Sequence, residues 1–226
     1  MRRHLALAIA SSLFPLSALA APGWYVGASG GASHTDSHLA RDREATLSNV
    51  THVHSDYDGD DSAWRAFAGY SFNDSLAIEV SWADLGKQRI DATTLGGNPE
   101  LPGAYSIDRR VQGYGADLVG TLPLSQRFAL LGRAGLFRAH TRSDVRISGN
   151  IVFAEGNPDD RFRRLESDDT VAHIGAGGQW SVTPRVQVRL EWEHYLGTGS
   201  AFQRNQSSNT GSADTDLFML GAVFRF

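Results

Sequence analysis

The sequence predicts an all-β fold, an eight-stranded antiparallel up-and-down transmembrane β-barrel, and three observations support this prediction. Apolar and polar residues alternate along eight separate segments, as they do in strands whose two faces meet different surroundings. Short turns and long loops connect these segments in alternation. The final segment, 217–226, carries the chain to its end on an apolar and aromatic face. An even number of strands, joined tightly on one side and loosely on the other, is typical of barrels that cross a membrane.

The amino terminus precedes this pattern and has a different composition. Arg2 and Arg3 are followed by a mostly apolar run, 5–19, and by a small-residue cleavage site. This order predicts a secretory signal peptide over residues 1–20, because the apolar run is too short to span a bilayer. The barrel domain is then expected at 21–226, in the cell outer membrane.

Composition excludes several classes of protein. The chain has 226 residues, no cysteine and a formal net charge of −4. Without cysteine there is neither a disulfide framework nor a cysteine-ligated metal, and without a basic tract nothing indicates nucleic acid binding. A mean hydropathy of −0.28 is compatible with a barrel, because its apolar face is spread over alternate positions.

Each of the eight segments has one apolar face, which a strand presents at every second position. The segments are expected at about 23–34, 62–72, 76–89, 106–122, 128–140, 169–182, 186–196 and 217–226. In chain order, their apolar faces include Trp24 and Val26, Trp64 and Tyr70, Ile78 and Trp82, Tyr114 and Leu118, Leu130 and Leu136, Ile174 and Trp180, Leu190 and Trp192, and Phe218 and Leu220.

The connections fall into two groups. Turns of a few residues are expected at 73–75, 123–127 and 183–184, where Asn, Asp, Ser and Pro favour reversal. Polar loops are expected at about 35–61, 96–106, 150–168 and 197–214. Both termini then lie on the short-turn side.

All five tryptophans lie on the apolar parity of their segments, where a membrane would meet them. The expected lipid-facing girdle consists of Trp24, Trp64, Trp82, Trp180, Trp192, Phe224 and Phe226. A soluble sandwich with these residues in its core is the alternative.

The opposite parity is charged. The expected lumen cluster consists of Arg65, Glu79, Asp117, Arg133, Arg189 and Glu191, with Gln179 and Glu193 beside it. Paired carboxylates can serve acid–base catalysis. In a narrow lumen, however, such charges must pair with one another, because an unpaired buried charge is costly. We therefore expect a structural ion-pair cluster in which Arg189 meets Glu79 and fills the lumen.

Five short runs are similar to the OmpA-type family of eight-stranded outer-membrane barrels, in the order that the family has them: 23–28, 66–70, 177–180, 189–192 and 220–226. By this resemblance, Glu79 and Arg189 correspond to the family's interior acid and arginine. The chain departs from the family where it has Val119 for an interior lysine and Gln179 for a second glutamate. The family often adds a peptidoglycan-binding domain, whereas this chain ends at its last strand, as small OmpX-like and Ail-like barrels do.

The first loop is rich in groups that can bind metals: His34, His38, His52, His54, Asp56, Asp58, Asp60 and Asp61. The acidic part resembles a calcium loop in spacing, but Phe67 stands where the bidentate glutamate belongs. His52 and His54 could hold Zn²⁺ or Ni²⁺. We expect a solvated acidic loop instead, with no metal and no cofactor.

The function expected from these features is a non-catalytic one in envelope structure and surface interaction. Barrels that modify lipid A place His and Ser two residues apart on an outward strand, but Leu196 follows His194 at that spacing. His194 and Tyr195 are interpreted as membrane-interface residues. Alternatives are a narrow pore for ions or small solutes, a lipid A-modifying enzyme, and a soluble periplasmic protein. The expected partners are outer-membrane lipids and lipopolysaccharide, the barrel-assembly machinery acting on the C-terminal strand, and an extracellular ligand of the loops.

Overall fold

The computed structural model describes residues 22–36, 47–48, 50–96, 101–153, 157–198 and 213–226. The predicted signal peptide lies outside the described residues. Within them, no helix is long and apolar enough to cross a bilayer. The strands are β1 (Gly23–Thr35), β2 (Leu47–Ser48), β3 (Val50–Asp58), β4 (Asp60–Ser71), β5 (Leu76–Gly96), β6 (Leu101–Pro123), β7 (Phe128–Gly149), β8 (Val152–Phe153), β9 (Phe162–Ser181), β10 (Val186–Thr198) and β11 (Ala213–Arg225).

Eight long antiparallel strands close into a ring. Its order is β4–β1–β11–β10–β9–β7–β6–β5, and β5 pairs again with β4. Strand β3 prolongs β4 across Gly59 and continues along β5. At the level of these eight strands closure leaves no unpaired sheet edge, as the inside of a bilayer requires. Farther from the short turns, among the described residues, β3 pairs with β5 alone and residues 162–172 of β9 pair with β7 alone. The predicted all-β, eight-stranded, up-and-down barrel is confirmed.

Three short turns close one end of the barrel, which we call the short-turn end. Each turn is held by one side chain that accepts hydrogen bonds from the backbone two and three residues later. Asn73 Oδ1 accepts them at 2.8 and 2.9 Å, and Ser125 Oγ and Thr183 Oγ1 do the same in their own turns. These residues keep the reversals tight, because the side chain replaces the missing strand partner.

An apolar band surrounds the half of the barrel nearest the short turns. On β7, the outward positions from Phe128 to Leu136 are Phe, Leu, Gly, Ala and Leu. Aromatic residues mark the border of the band farther from the turns, and we call this set the upper aromatic edge: Trp64, Trp82, Tyr114 and Trp192. Along β7 the band is about 27 Å long, and the tilt of barrel strands reduces this to roughly the thickness of a bilayer core.

The strands continue well past the upper aromatic edge, into a part of the barrel that we call the rim. Strand β5 runs to Gly96, β7 to Gly149, and β3 occupies much of the predicted first loop. The predicted boundaries of the first three loops were therefore wrong, whereas the fourth, at about 197–214, agrees with the end of β10 at Thr198 and the start of β11 at Ala213. The rim keeps the two-residue alternation, but its polarity is inverted, with polar residues outside and apolar residues inside. The predicted strands therefore ended where the outward residues stop being apolar.

The rim has its own apolar core inside the ring. Its buried members are Ile90, Ala92, Tyr105, Ile107, Val145, Ile147, Ile151, Phe153 and Ala213. Two of them, Ile151 and Phe153, come from the connection after β7, and the guanidinium of Arg163 stacks 4.4 Å from the Phe153 ring centre. The described part of this connection thereby contributes to the rim core.

A bulge in β5 lies where that strand changes partner from β4 to β3. The register shifts between Asp84 and Lys87, and Gly86 has a φ of 93°, which favours glycine. A Cβ at Gly86 would also lie 2.6 Å from Ser33 Oγ. The bulge turns the Asp84 carboxylate toward Arg110, whose Nε donates to it at 3.0 Å.

Candidate functional site

The inward side chains of the membrane-level strands meet in one charged layer across the lumen. Strand alternation places one or more ionisable groups from each contributing strand at this level. The layer consists of Arg65 from β4, Glu79 from β5, Asp117 from β6, Arg133 from β7, His173 from β9, and Arg189, Glu191 and Glu193 from β10. All of these residues are buried.

Arg133 lies at the centre of the layer and contacts acids from three other strands. Its guanidinium pairs closely with Glu191, lies 3.2 Å from Glu79 Oε2, and lies 3.6 Å from both Asp117 Oδ2 and Glu193 Oε1. Its side chain is fully enclosed. One cation therefore connects β5, β6, β7 and β10 through the interior.

Arg65 completes the pairing on the opposite wall. Its Nη2 donates to Glu191 Oε2 at 2.8 Å, and its Nη1 pairs closely with Glu193. The Phe67 ring covers the guanidinium at 4.8 Å from its centre. Both glutamates of β10 thus accept from guanidinium groups, and neither faces solvent where a substrate could reach it.

Arg189 and Glu79 lie together on the short-turn side of this layer. Arg189 Nη1 is 2.6 Å from Glu79 Oε1, and Arg189 Nε donates to Gln179 Oε1 at 2.9 Å. Tyr25 donates its hydroxyl to Glu79 Oε1 at 2.9 Å. The aromatic faces of Tyr25 and Phe67 lie 5.4 and 5.5 Å from the Arg189 guanidinium carbon. Gln179 therefore takes part in the cluster, and Val119 is buried in the apolar layer below it.

Two further residues belong to the charged cluster, although the sequence did not predict them as members. His173 Nε2 lies 2.6 Å from Asp117 Oδ1, without the alignment of a hydrogen bond, and its ring stacks 4.6 Å from Tyr195. Tyr195 is buried and donates to Glu193 Oε2 at 2.8 Å, so its interpretation as an interface residue was wrong. Its position two residues after Glu193 was the available signal, because residues i and i+2 share a face.

The layer is nearly balanced in charge. Three guanidinium groups face four carboxylates, and His173 is the only other basic group in the layer among the described residues. Apolar residues flank the layer on both sides, with Tyr25, Phe67 and Val223 on the short-turn side and Phe137, Leu217 and Met219 among those on the rim side. Ions in such surroundings must be paired, because desolvation of a single charge costs several kcal/mol.

A cavity of about 410 Å³ opens at the short-turn end. Arg127, Arg225 and the short turns surround its mouth, and Tyr25, Gln179 and Arg189 lie at its inner end. The cavity therefore ends at the charged layer.

The predicted girdle residues all lie on the outer face of the barrel. Trp64, Trp82 and Trp192 are at the upper aromatic edge, and Trp192 also donates to Asp216 Oδ1 at 2.9 Å. The other four are near the short-turn end: Trp24, Trp180, Phe224 and Phe226. Phe226 is 77% exposed and packs edge-on against Phe224.

The histidines of the first predicted loop are only partly described. His34 Nδ1 lies 2.6 Å from Asp60 Oδ1 on the outer face of the rim, and this hydrogen bond raises the pKa of His34. His54 and Asp56 are exposed. His38 and the side chain of His52 lie outside the described part. Among the side chains that are described, no group of three or more His, Asp or Glu is arranged to hold a metal ion.

Comparisons with known proteins agree with this architecture. The model of a family described as outer membrane protein beta-barrel domain matches residues 5–226. The solved structure of Neisserial surface protein A shares 16% identity, covers 90% of this chain and 97% of that one, and has a TM-score of 0.52. Ail, the attachment invasion locus protein of Yersinia pestis, in complex with a heparin analogue, shares 15%, covers 90% and 99%, and has a TM-score of 0.41. The outer membrane protease OmpT of Escherichia coli shares 11%, covers 90% and 97%, and has a TM-score of 0.44. The comparison with curated protein sequences found no match.

Proposed function

Because the chain belongs to the family of outer membrane protein β-barrel domains, we propose that it is a non-catalytic structural protein of that membrane whose outer end meets surface ligands. The short-turn end then faces the periplasm and the rim projects from the cell. The girdle residues contact lipid, and the charged layer holds the barrel closed. Loops carried on a rigid scaffold are where binding functions concentrate.

The observation that supports this proposal is the connected ion-pair layer across the lumen. Arg133 by itself joins acids from three other strands across the interior, and apolar layers lie above and below it. An eight-stranded barrel has an interior that side chains can fill. A filled interior favours a scaffold over the alternative of a narrow pore.

Planar-bilayer recording tests the filled lumen. Wild-type protein is expected to give no reproducible conductance steps. Arg189→Ala removes the side chain at the inner end of the periplasmic cavity and is expected to give small, reproducible steps. Arg225→Ala is the matched control, because Arg225 donates to Ser71 Oγ at 2.9 Å at the mouth and contacts no acid of the layer. Regular steps from wild-type protein would contradict the proposal and favour the pore.

Location and export have separate tests. Fractionation of cells is expected to recover the chain with the outer membrane, with heat-modifiable migration on a gel after detergent extraction. Protease treatment of intact cells is expected to cleave the connections at the rim end. A predominantly soluble periplasmic chain would contradict both results. The N-terminal sequence of the mature protein is expected to start at Ala21, and retention of residues 1–20 would contradict a cleaved signal peptide.

The C-terminal strand is proposed to be the segment that the barrel-assembly machinery recognises. Deletion of Phe226 should lower the outer-membrane yield sharply, whereas Phe226→Tyr, which keeps an aromatic terminus, should not. Wild-type yield from the truncated chain would contradict this role.

The non-catalytic assignment is tested on lipid A itself. Mass spectrometry of lipid A from a deletion strain is expected to match that of the parent strain. A change that the restored gene reverses would instead favour the alternative of a lipid A-modifying enzyme.

A further inference from the structure

Three cations lie side by side on the outer surface of the rim, just above the upper aromatic edge. Lys87 of β5 is directly opposite Arg110 of β6, and Arg110 is directly opposite Arg142 of β7. We call these three residues the cationic row. Arg138 lies nearer the apolar band, directly opposite Tyr114 of the aromatic edge. All four side chains are exposed.

This row is incompletely neutralised by the barrel. Arg110 pairs with Asp84, and Arg142 Nε donates to Glu166 Oε1 at 2.9 Å. Among the described residues, the Lys87 ammonium forms no ion pair, although Asp61 Oδ2 accepts a hydrogen bond from the Lys87 backbone N–H at 2.7 Å. Among the same described residues, Arg138 donates only to a neutral hydroxyl, Thr170 Oγ1, at 3.2 Å.

The next row outward shows the contrast. Across β5, β6, β7 and β9 it consists of Arg89, Asp108, Asp144 and Arg164, two cations and two acids, and Arg164 Nε donates to Asp144 Oδ1 at 2.7 Å. Across the same four strands the cationic row and Glu166, directly opposite Arg142, comprise three cations and one acid. Like charges directly opposite one another destabilise a sheet. The cationic row therefore keeps a repulsion between like charges, which a bound anion would reduce.

The depth of these cations matches the lipid headgroups. Arg138 is level with Tyr114, at the border of the apolar band, and Arg110 is four residues farther along β6. Four residues correspond to about 13 Å along a strand, and to roughly 10 Å along the membrane normal once strand tilt is included. The headgroup layer begins at the edge of the hydrocarbon and is about 5–8 Å thick. The headgroup layer therefore lies between the level of Arg138 and that of the cationic row, and the long side chains from both levels can reach lipid phosphates.

At the same level, the outer surface on the other side of the barrel is acidic rather than basic. Asp60, His34, Asp216 and His194 lie directly opposite one another across β4, β1, β11 and β10. Asp36 and Asp214 lie close by in sequence, and within the described ranges no lysine or arginine of these four strands faces outward there. An anionic lipid would therefore favour the β5–β6–β7 side.

We propose that the cationic row and Arg138 bind the phosphate groups of an anionic outer-leaflet lipid of the lipid A type, on this one side of the barrel. Guanidinium and ammonium groups bind phosphate through charge-assisted hydrogen bonds, and basic clusters beside a membrane bind anionic headgroups in this way. The proposal rests on the outer-membrane location proposed above, and it adds a defined surface and a ligand chemistry to it.

Native mass spectrometry of the full mature chain in detergent micelles tests the proposal. The probe is bis-phosphorylated lipid A, compared with the same lipid after removal of its phosphates. Wild-type protein is expected to bind the phosphorylated form at least about tenfold more tightly, because the site contains four cations. Lys87→Gln/Arg138→Gln removes the two cations that form no ion pair among the described residues, and is expected to weaken that binding by about tenfold or more.

The matched control is Arg89→Gln/Arg164→Gln, which also removes two exposed cations of the rim but leaves the cationic row intact. It should bind lipid A as the wild type does, and heat-modifiable gel migration verifies that each variant is folded. Equal losses in the two variants would indicate non-specific attraction and overturn the proposal, as would wild-type binding by Lys87→Gln/Arg138→Gln. Displacement of the lipid by millimolar inorganic phosphate would identify a free anion as the ligand, and a dimer that only Lys87→Gln/Arg138→Gln abolishes would identify a second copy. Either result would overturn the lipid assignment, while membrane fractionation of the wild type would still report on the proposed function separately.

Discussion

The barrel consists of two stacked regions with opposite polarity, a membrane-level region of eight paired strands and a rim built mainly from β3 and the extensions of β5, β6, β7 and β9. In the membrane-level region, Leu118 and Leu136 face outward, whereas Arg65 and Arg133 are enclosed. In the rim, the outer face carries ion pairs such as Arg164 with Asp144, whereas Ile90 and Ile147 are enclosed. Strand, pairing and alternation are common to both regions. Only the surroundings of the outer face change, from hydrocarbon to water.

This difference shows what the alternation of apolar and polar residues indicates about a strand. A two-residue period identifies a strand in either region, but the apolar parity indicates the face that avoids water. In lipid that face is outside, and the lumen then accepts charges because they neutralise one another. In the rim the same wall encloses a core of the ordinary soluble type, since its outer face is solvated.

The largest expected effect concerns Arg133. Arg133→Met leaves Glu191, Glu79 and Asp117 without their shared cation, so we expect a loss of roughly 3–5 kcal/mol in the free energy of unfolding. Urea unfolding in lipid vesicles, followed by tryptophan fluorescence, measures it. Arg164→Met, at an exposed ion pair of the rim, should unfold close to wild type. Equal destabilisation by both variants would abolish the contrast between the two regions.

The next effect concerns the outer face. Leu118→Arg on β6 places a charge in the middle of the apolar band and should cost about 2–4 kcal/mol. Ala104→Arg lies on the outward parity of the same strand, but in the rim, where we expect about 0–1 kcal/mol. The same vesicle-based unfolding measurement applies to both. If Leu118→Arg proved as stable as Ala104→Arg, hydrocarbon would not surround that level of the barrel.

Truncation of isoleucine on β5 compares the two apolar environments directly. Ile90 is buried in the rim core, whereas Ile78 is 42% exposed on the apolar band. Ile90→Ala should cost about 2–3 kcal/mol, because it leaves a cavity in the core. Ile78→Ala should cost less, about 1 kcal/mol, because lipid chains can fill the space. A larger loss from Ile78→Ala would indicate that it packs against protein.

The smallest effect is a pH dependence of the rim. The hydrogen bond to Asp60, aided by the charges of Asp216 and Asp36, raises the pKa of His34. A raised folded-state pKa contributes stability that is complete below the unfolded value of about 6.5 and is lost as the pH rises through the folded value. Asp60→Asn should lower the pKa of His34 toward its ordinary value in an NMR titration, and the exposed control Asp56→Asn should leave it unchanged. An identical His34 titration in Asp60→Asn would show that the pair does not form in solution.

The membrane-level region could largely be anticipated from the sequence. Alternation separates Trp64 from Arg65 and Trp192 from Glu191, and the spacing of short turns and long loops indicates a closed meander. Glu79 and Arg189 could be paired in advance, because both lie on the inward faces of strands that meet across one narrow lumen. In the structure their nearest atoms are 2.6 Å apart.

The strand extensions of the rim and two members of the charged cluster could not be predicted, because they depend on a bulge and on contacts between residues distant in sequence. The extension of β5 to Gly96 was missed because polar residues interrupt the alternation at the bulge around Gly86, and the even positions that face outward before the bulge, such as Trp82, face the rim core after it, as Ile90 does. His173 escaped because its neighbours in sequence are glycines and small apolar residues, whereas its contacts with Asp117 and Tyr195 exist only across the closed ring. Tyr195 was misplaced because an aromatic residue beyond Trp192 resembles an interface residue unless parity is followed through Glu193.

The pairing of Arg65 with Glu191 has a consequence for how the chain reaches its native state. These residues are 126 positions apart, on β4 and β10, and the ring separates those strands by β1 and β11. A partly assembled sheet would hold its guanidinium and carboxylate groups apart and would keep water beside them until the last seam joins. Zipping of β1 onto β11 is therefore the step at which the interior dries, and folding and unfolding should proceed in a single cooperative event, without a stable half-curled intermediate.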